Sequence, residues 1–179
     1  MKTISTKKLV ATALFTSIIT IATMFIRIPL PFGYVNLGDA FILLAVFILG
    51  PIYGVICAGV GSAIADLLGY PQYTLGTLII KTLMAIAIYF VYRLIKVSTK
   101  KDILAEIISG IVGTLIMAFG YFLYEIIFFI SPAVAIINVP FNILQGVVGT
   151  VIAASIMHVL KKTKVLDKLE NIRSDKYEN

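Results

Sequence analysis

Three amide side chains in the C-terminal part of the sequence are spaced so that one face of a helix would carry all of them. Asn138, Asn142 and Gln145 are related as i, i+4 and i+7, the spacing at which side chains become neighbours along a helix. An amide offers both donors and acceptors. This face could therefore read the hydrogen-bonding edges of a small, neutral heterocycle.

Ten further polar residues border or interrupt the apolar runs, and four of them are charged. A charged group at membrane depth costs about 2.5–3.5 kcal/mol on insertion scales, so each needs a physical reason. The tyrosines among them could stack on a flat ligand. Together with the three amides, we expect these residues to form one ligand-binding cluster. They are Tyr34, Asn36, Asp39, Asp66, Tyr70, Gln72, Tyr73, Lys81, Tyr121 and Glu125.

Each of these residues also has a purely structural interpretation. Lys81 could form an internal ion pair with Asp66 or Glu125 that only holds helices together. Asp39 could act as the N-cap of a helix, and tyrosines anchor helices at the membrane interface. A structural role does not explain, however, why so many polar groups gather at one level of the chain.

The sequence carries no motif of an enzyme. It lacks a Walker A loop, the H-E-x-x-H pattern and a nucleophile elbow. The one histidine, His158, and the one cysteine, Cys57, are far apart in the sequence, which argues against metal or thiol chemistry. We therefore expect no catalysis, no cofactor and no bound metal, and we expect any energy for transport to come from another subunit.

The composition is that of an integral membrane protein. Of the 179 residues, 60% are hydrophobic and 13% are charged, and the mean hydropathy is +1.03. The formal net charge of +6 sits at the ends of apolar runs, where lysine and arginine indicate topology and contact with anionic lipids. The basic balance therefore predicts contact with a lipid bilayer and does not predict binding to nucleic acid.

The apolar runs predict an all-α bundle of six transmembrane helices in residues 1–160, followed by a polar cytosolic tail at 161–179. Prolines and glycines separate the runs, because neither residue continues a helix well. The segment 27–38, with two prolines and a glycine, is expected to be a loop. The predicted helices cover about 8–26, 39–49, 52–68, 75–95, 103–130 and 134–160.

The basic clusters predict the orientation in the membrane. With six passes, the lysines near the N-terminus, the 93–101 segment and the 161–173 segment all fall on one side, which the positive-inside rule assigns to the cytoplasm. Both termini are then cytoplasmic in the plasma membrane of a prokaryote. The polar cluster lies at the extracellular end, and the inner half of the bundle is expected to hold almost no comparable polar residues.

Small residues mark two helix faces. Gly50, Gly54, Ala58, Ser62 and Asp66 recur every four residues, a pattern that allows close helix approach and that we interpret as packing within the chain. A shorter version lies on the first helix, where Ala13 and Ser17 are four residues apart next to Ala11. This second face could contact a membrane partner.

Four segments resemble the S components of energy-coupling factor (ECF) vitamin transporters, and the likeness covers nearly the whole chain before about residue 160. A proline-containing loop at 29–31 precedes the first of these segments. The segments are 34–40 (YVNLGDA), 50–54 (GPIYG), 61–69 (GSAIADLLG) and 139–146 (VPFNILQG).

The resemblance implies a mechanism. In that family the S component binds a micronutrient at its extracellular side and associates with a transmembrane coupling subunit and two ATPase subunits. It is thought to topple in the membrane to deliver its ligand. In that family, small residues of the first helix contact the coupling subunit. The corresponding residues of this sequence are Ala11, Ala13 and Ser17. In that family, the outer loops cover the ligand. The corresponding loops of this sequence are 27–38, 69–74 and 131–134.

The resemblance is greatest to the branch assigned to pyridoxine or hydroxymethylpyrimidine precursors, because of the Val-Asn-Leu-Gly-Asp pattern at 35–39. A riboflavin-binding S component is the alternative within the family. Two alternatives of other classes also stay open. One is a secondary transporter that works alone, and the other is a structural or signalling membrane protein whose polar cluster only holds helices together.

Overall fold

The computed structural model of the chain describes residues 6–30, 33–128 and 132–163, and these form six helices and one short hairpin. Five helices are long and apolar enough to cross a membrane, whereas α2 has 12 residues. The predicted polar tail lies outside the described residues from 164 onward. The elements are α1 (Thr6–Phe25), β1 (Arg27–Leu30), β2 (Gly33–Asn36), α2 (Gly38–Leu49), α3 (Pro51–Gly69), α4 (Thr74–Thr99), α5 (Asp102–Phe128) and α6 (Pro132–Lys162), with a single 3-10 turn at Pro71–Tyr73.

The expectation of a loop at 27–38 was wrong, because this segment forms an antiparallel β-hairpin. Arg27 pairs with Asn36 and Ile28 pairs with Val35. Pro29 is compatible with a strand here because each strand has only one neighbour, and proline is tolerated where its missing N–H does not interrupt a ladder. The bundle is therefore helical with a small hairpin at one end.

The two ends of the bundle can be named from the chain path. The hairpin end carries β1 and β2, the 3-10 turn and the beginning of α6. The basic end carries the α4–α5 junction, where Lys100 and Lys101 lie, and the last turn of α6 with Lys161 and Lys162.

The short helix α2 lies in the middle of the bundle and contacts α1, α3, α4 and α6. Nearly all of its residues, from Gly38 to Ile48, are buried, which explains why its sequence is apolar on every face. Gly50 joins it to α3 with a φ of 79°, a left-handed conformation that glycine adopts without steric cost.

The small-residue face of α3 packs inside the chain, as predicted. A Cβ on Gly54 would lie 2.7 Å from the Cα of Val46 in α2, and Ala58 is fully buried. Close approach of the two backbones therefore depends on these small side chains.

The lengths of α2 and α3 leave space at the hairpin end. At about 1.5 Å per residue, α2 is roughly 18 Å long and α3 roughly 28 Å. Since both meet at Gly50 and pack side by side, α2 stops roughly 10 Å short of the other end of α3. The first residues of α2, including Asp39, therefore lie at the bottom of a recess.

The basic end contradicts the expectation that the inner half holds almost no comparable polar residues. Glu106 of α5 is buried and accepts a 2.5 Å bond from Lys161 of α6. Lys161 also lies 3.0 Å from Asp102, and Lys96 of α4 lies 3.1 Å from the same carboxylate. This network joins the ends of three helices. The sequence did not predict the role of Glu106, because a single acid near the start of a helix resembles an ordinary first-turn residue.

Candidate functional site

A cavity opens in the recess at the hairpin end, and seven segments of the chain line it. It encloses about 550 Å³ of space that no atom fills, part of which is open to solvent. The lining residues are Thr23, Tyr34, Asn36, Ser62, Asp66, Tyr73, Thr77, Lys81, Tyr121, Glu125, Asn138, Phe141, Asn142 and Gln145.

Helical spacing brings most of these residues to the cavity. On α3, Ser62 and Asp66 are four residues apart and face the same way, and α4 presents Thr77 and Lys81 with the same spacing. The three amides of α6 all line the cavity, which confirms that they share one face of that helix.

The floor of the cavity is a buried ion pair between Lys81 of α4 and Asp39 of α2. The structural interpretation of Lys81 as an ion-pair residue suggested Asp66 or Glu125 as its partner, whereas the partner in the structure is Asp39. Met117 of α5 also lies against the ammonium group, with its sulfur 2.8 Å from Nζ. Because both charges are almost fully buried, each stabilises the other against the cost of leaving water.

Gln145 connects this ion pair to the hairpin. Its Nε2 donates to Asp39 at 2.7 Å, and its Oε1 accepts from the backbone N–H of Asn36 at 2.8 Å and from the Asn36 side chain at 3.2 Å. Both ends of the Gln145 amide are therefore occupied by protein groups.

The side chain that accepts a backbone N–H in the first turn of α2 is that of Asn36, and not that of Asp39. Its Oδ1 accepts the backbone N–H of Gly38 at 2.7 Å, while the carboxylate of Asp39 faces Lys81 and Gln145. The interpretation of Asp39 as a helix N-cap was thus wrong. The residue holds the floor together from beneath and is not among the lining residues.

Asp66 forms a second cluster higher in the cavity. Its carboxylate accepts hydrogen bonds from the hydroxyls of Tyr34 and Thr77, and the Thr77 and Tyr121 hydroxyls lie 2.8 Å apart. Burial and the neighbouring Asp66 carboxylate raise the pKa of the Tyr34 phenol above its ordinary range. The phenol therefore stays protonated and acts as a donor, tying β2 to α3.

Glu125 forms a third cluster with α6. Both of its carboxylate oxygens accept from Asn138 Nδ2, at 3.0 and 3.1 Å, and the Tyr73 hydroxyl lies 3.4 Å away. As at Asp66, the partners are neutral groups. Like Asp66, Glu125 is therefore held in position by neutral donors.

Two predicted ligand-binding residues, Tyr70 and Gln72, lie outside the lining. Tyr70 stacks on Tyr34 with ring centroids 4.9 Å apart, and the Arg27 guanidinium is 5.5 Å from both rings. Gln72 is exposed, and its backbone carbonyl accepts from the Tyr124 hydroxyl at 2.7 Å. Both residues belong to the rim that connects the hairpin with the α3–α4 turn.

Ten of the thirteen predicted residues line the cavity, and four lining residues were missed. Thr77 and Phe141 each lie within one turn of a predicted residue, so helical spacing could have found them. Ser62 was interpreted only as a packing residue, and Thr23, which lies within the predicted first helix, was not predicted to face a ligand. In the described parts of the chain, no group of three or more His, Cys, Asp or Glu residues is placed to hold a metal ion.

Comparison with known proteins agrees with this architecture. A protein of Pyrococcus woesei, called "uncharacterized protein in gap 3′region", is 34% identical over 146 residues, which cover 80% of this chain and 95% of the relative. The solved structure of the S component of a bacterial ECF transporter matches with a TM-score of 0.66 and 25% identity, over 88% of this chain and 96% of that one.

The family comparison covers nearly all of the described bundle. The family model of the ECF-type riboflavin transporter, S component, matches residues 3–162. These residues include α1 to α6, the hairpin and every residue of the cavity. The chain therefore belongs to the family of ECF-type riboflavin transporter S components.

Proposed function

We propose that the cavity binds an uncharged heterocyclic vitamin, with riboflavin as the first candidate, and that partner ATPases drive uptake of the bound molecule. One observation carries this proposal. The cavity combines aromatic side chains with amides and hydroxyls, while its buried charges are already engaged with protein groups. A ligand with a net charge would find no free counter-charge at the floor, where Lys81 is paired with Asp39.

Riboflavin suits this chemistry and is the vitamin that the family description names. Its flat ring system can stack on Tyr73, Tyr121 or Phe141, which line the cavity. The pyrimidinedione edge of its ring alternates acceptors with a donor, which complements amide and hydroxyl groups. A pyridoxine- or hydroxymethylpyrimidine-like molecule is the second candidate, favoured by the sequence pattern at 35–39.

The orientation of the bundle follows the same proposal. All described basic residues of the N-terminal helix, the α4–α5 junction and the end of α6 lie at the basic end, whereas Arg27 is at the hairpin end. The positive-inside rule places the basic end in the cytoplasm. The cavity then faces the outside of the cell, with both termini in the cytoplasm and α2 counted as the sixth pass.

Equilibrium dialysis of the purified protein against riboflavin, pyridoxine and hydroxymethylpyrimidine tests the function. We expect one of them to bind with a Kd below about 1 μM, equivalent to about −8 kcal/mol. Binding of none of the three would overturn the proposal. Uptake into vesicles that contain this chain alone and an ion gradient would favour a secondary transporter. Our proposal expects uptake only after the coupling and ATPase subunits are added.

We place the contact with the coupling subunit on α1, at Ala11, Ala13 and Ser17. Ala13 and Ser17 are exposed and Ala11 is half-buried. The Ser17 hydroxyl donates to the carbonyl of Ala13 at 2.9 Å, so this face presents small side chains with their polar groups satisfied. Such a surface lets another membrane helix approach closely.

Replacing Ala13 with phenylalanine should prevent assembly with the coupling subunit and leave vitamin binding unchanged, because the added ring separates the two helices. Pull-down of the coupling subunit and dialysis against the vitamin measure the two effects. Leu83→Phe is the control, since Leu83 is exposed on α4. Normal pull-down by Ala13→Phe would remove α1 from the interface.

A further inference from the structure

The hydroxyl of Ser62 is buried without a hydrogen-bond partner among the described residues. Its side chain lies on α3 and lines the cavity, and the residue is only 1% exposed. Buried polar groups in proteins are nearly always satisfied, because an unpaired one loses its hydrogen bonds to water without replacement. An exception that faces a binding cavity indicates a group reserved for another molecule.

Other buried hydroxyls in the helices form a local hydrogen bond that the Ser62 hydroxyl lacks. Thr12, Thr114 and Thr150 each donate to the carbonyl four residues earlier, at 2.7 to 2.8 Å. This local bond is the usual way for a serine or threonine to satisfy itself within a helix. Ser62 could reach the carbonyl of Ala58 in the same way, but its hydroxyl has no such bond.

A second buried hydroxyl without a partner in the described part of the chain sharpens the comparison. Thr74 Oγ1 is also unsatisfied, but Thr74 is not among the lining residues of the cavity. Of the two, Ser62 is the one that lines the cavity.

The depth of Ser62 places it near the floor. It lies seven residues before the end of α3 at Gly69, and Lys81 lies seven residues after the start of α4 at Thr74. At about 1.5 Å per residue, both are roughly 10 Å below the hairpin end of their helices. Ser62 therefore faces the deep part of the cavity, one turn below Asp66.

The neighbouring polar groups are already engaged. Asp66 accepts from Tyr34 and Thr77, and Lys81 is paired with Asp39. The Ser62 hydroxyl, by contrast, has no hydrogen bond to a described residue.

We propose that Ser62 is a ligand-contacting residue that determines specificity, with its hydroxyl bonded to a polar atom at the deep end of the bound molecule. This inference rests on the proposed function of the cavity. A hydroxyl can donate or accept, so the ligand atom is a carbonyl oxygen, a ring nitrogen, an N–H or a hydroxyl. A molecule with an apolar group at that position would leave Ser62 unpaired and would be rejected, as in other sites built around a buried polar group.

Two serine-to-alanine variants test the proposal, because the chain offers a matched control. Ser109 on α5 is also fully buried, but its hydroxyl donates to the Glu106 carbonyl at 3.1 Å and it does not line the cavity. Both substitutions remove one oxygen, and alanine is a good helix former. The measurements are the Kd for riboflavin by equilibrium dialysis and the melting temperature of the ligand-free protein.

We expect Ser62→Ala to weaken binding about three- to tenfold, the effect of one lost hydrogen bond. Its ligand-free melting temperature should be unchanged or higher, because an unsatisfied buried hydroxyl has been removed. Ser109→Ala should lower the melting temperature and keep the Kd within about twofold of the wild type. A wild-type Kd for Ser62→Ala, or a melting temperature lowered as in Ser109→Ala, would overturn the proposal.

The two readouts separate failure of this inference from failure of the proposed function. Binding by the wild type together with unchanged binding by Ser62→Ala refutes only the role of Ser62. If the wild type does not bind riboflavin, pyridoxine or hydroxymethylpyrimidine, the proposed function fails, and the ligand-free melting temperatures still decide about the hydroxyl. A lower value for Ser62→Ala then shows that the hydroxyl has a structural partner, whereas an equal or higher value supports a group reserved for a ligand.

Discussion

Buried acidic groups occur at both ends of the bundle, and the two ends satisfy them in different ways. At the basic end, Asp102 and Glu106 face Lys96 and Lys161, and each carboxylate contacts at least one ammonium group. At the hairpin end, three buried carboxylates lie around one buried lysine, Lys81. These three are Asp39, Asp66 and Glu125.

The difference shows what a binding cavity requires of its walls. Ion pairs at the basic end cancel charge and hold three helices together. At the hairpin end, Asp66 and Glu125 are instead held by hydroxyl and amide donors, which position the side chains without closing the space between them. The two ends therefore serve different needs, namely a closed junction and an open polar recess.

Removing Lys81 should produce the largest effect at the hairpin end. Asp39 is 0% exposed, and Lys81→Met would leave its charge buried without a counter-charge. We expect a loss of about 3–5 kcal/mol in the free energy of unfolding, measured by thermal or denaturant unfolding in detergent.

The double variant Asp39→Asn with Lys81→Met is the control, because it removes both charges. It should recover most of the lost stability. A double variant as unstable as Lys81→Met alone would mean that the ion pair is not what makes the single substitution costly.

The amides of α6 allow a finer comparison within the hairpin end. Gln145→Leu removes bonds to Asp39 and Asn36 and should cost about 1–3 kcal/mol of stability. Asn142 lines the cavity and takes no part in the hydrogen-bonded clusters around Asp39, Asp66 and Glu125. Asn142→Leu should therefore keep the melting temperature and weaken vitamin binding about tenfold, equivalent to about 1.4 kcal/mol.

Both variants introduce a leucine on the same face of α6. Each is therefore the control of the other. Unfolding midpoints and dialysis would be measured on both. Equal loss of stability in the two variants, with equal affinity, would contradict the division between a supporting amide and a ligand-facing amide.

The helices were predictable from the sequence because their causes are local. A glycine followed directly by a proline ends one helix and begins the next, so the pair Gly50-Pro51 marks the junction of α2 and α3 directly. The hairpin was not predictable in this way. It depends on the pairing of two four-residue segments, and the prolines that exclude a helix also hide the strand signal.

The depth of Lys81 was predictable, but its partner was not. Counting residues along a helix gives the level of Lys81, and Asp39, Asp66 and Glu125 all lie in the same half of the bundle. The choice among them depends on how the helices are rotated and packed, which hydropathy does not encode. The same limit explains Ser62, whose spacing is equally consistent with packing and with a cavity wall.

The smallest expected effects belong to the exposed part of the basic end. The side chains of Lys96 and Asp102 are 44% and 38% exposed, so solvent weakens their attraction. We expect Lys96→Met to cost about 0–1 kcal/mol of stability.

Glu106 is 2% exposed, and Glu106→Gln should cost more, about 1–3 kcal/mol, because its bond to Lys161 loses a charge in a buried position. Glu106 is roughly 28 Å from Glu125 along α5, so vitamin affinity should stay within about twofold in both variants. Unfolding midpoints and dialysis measure the two effects, and an altered affinity in either variant would show that the basic end is coupled to the cavity.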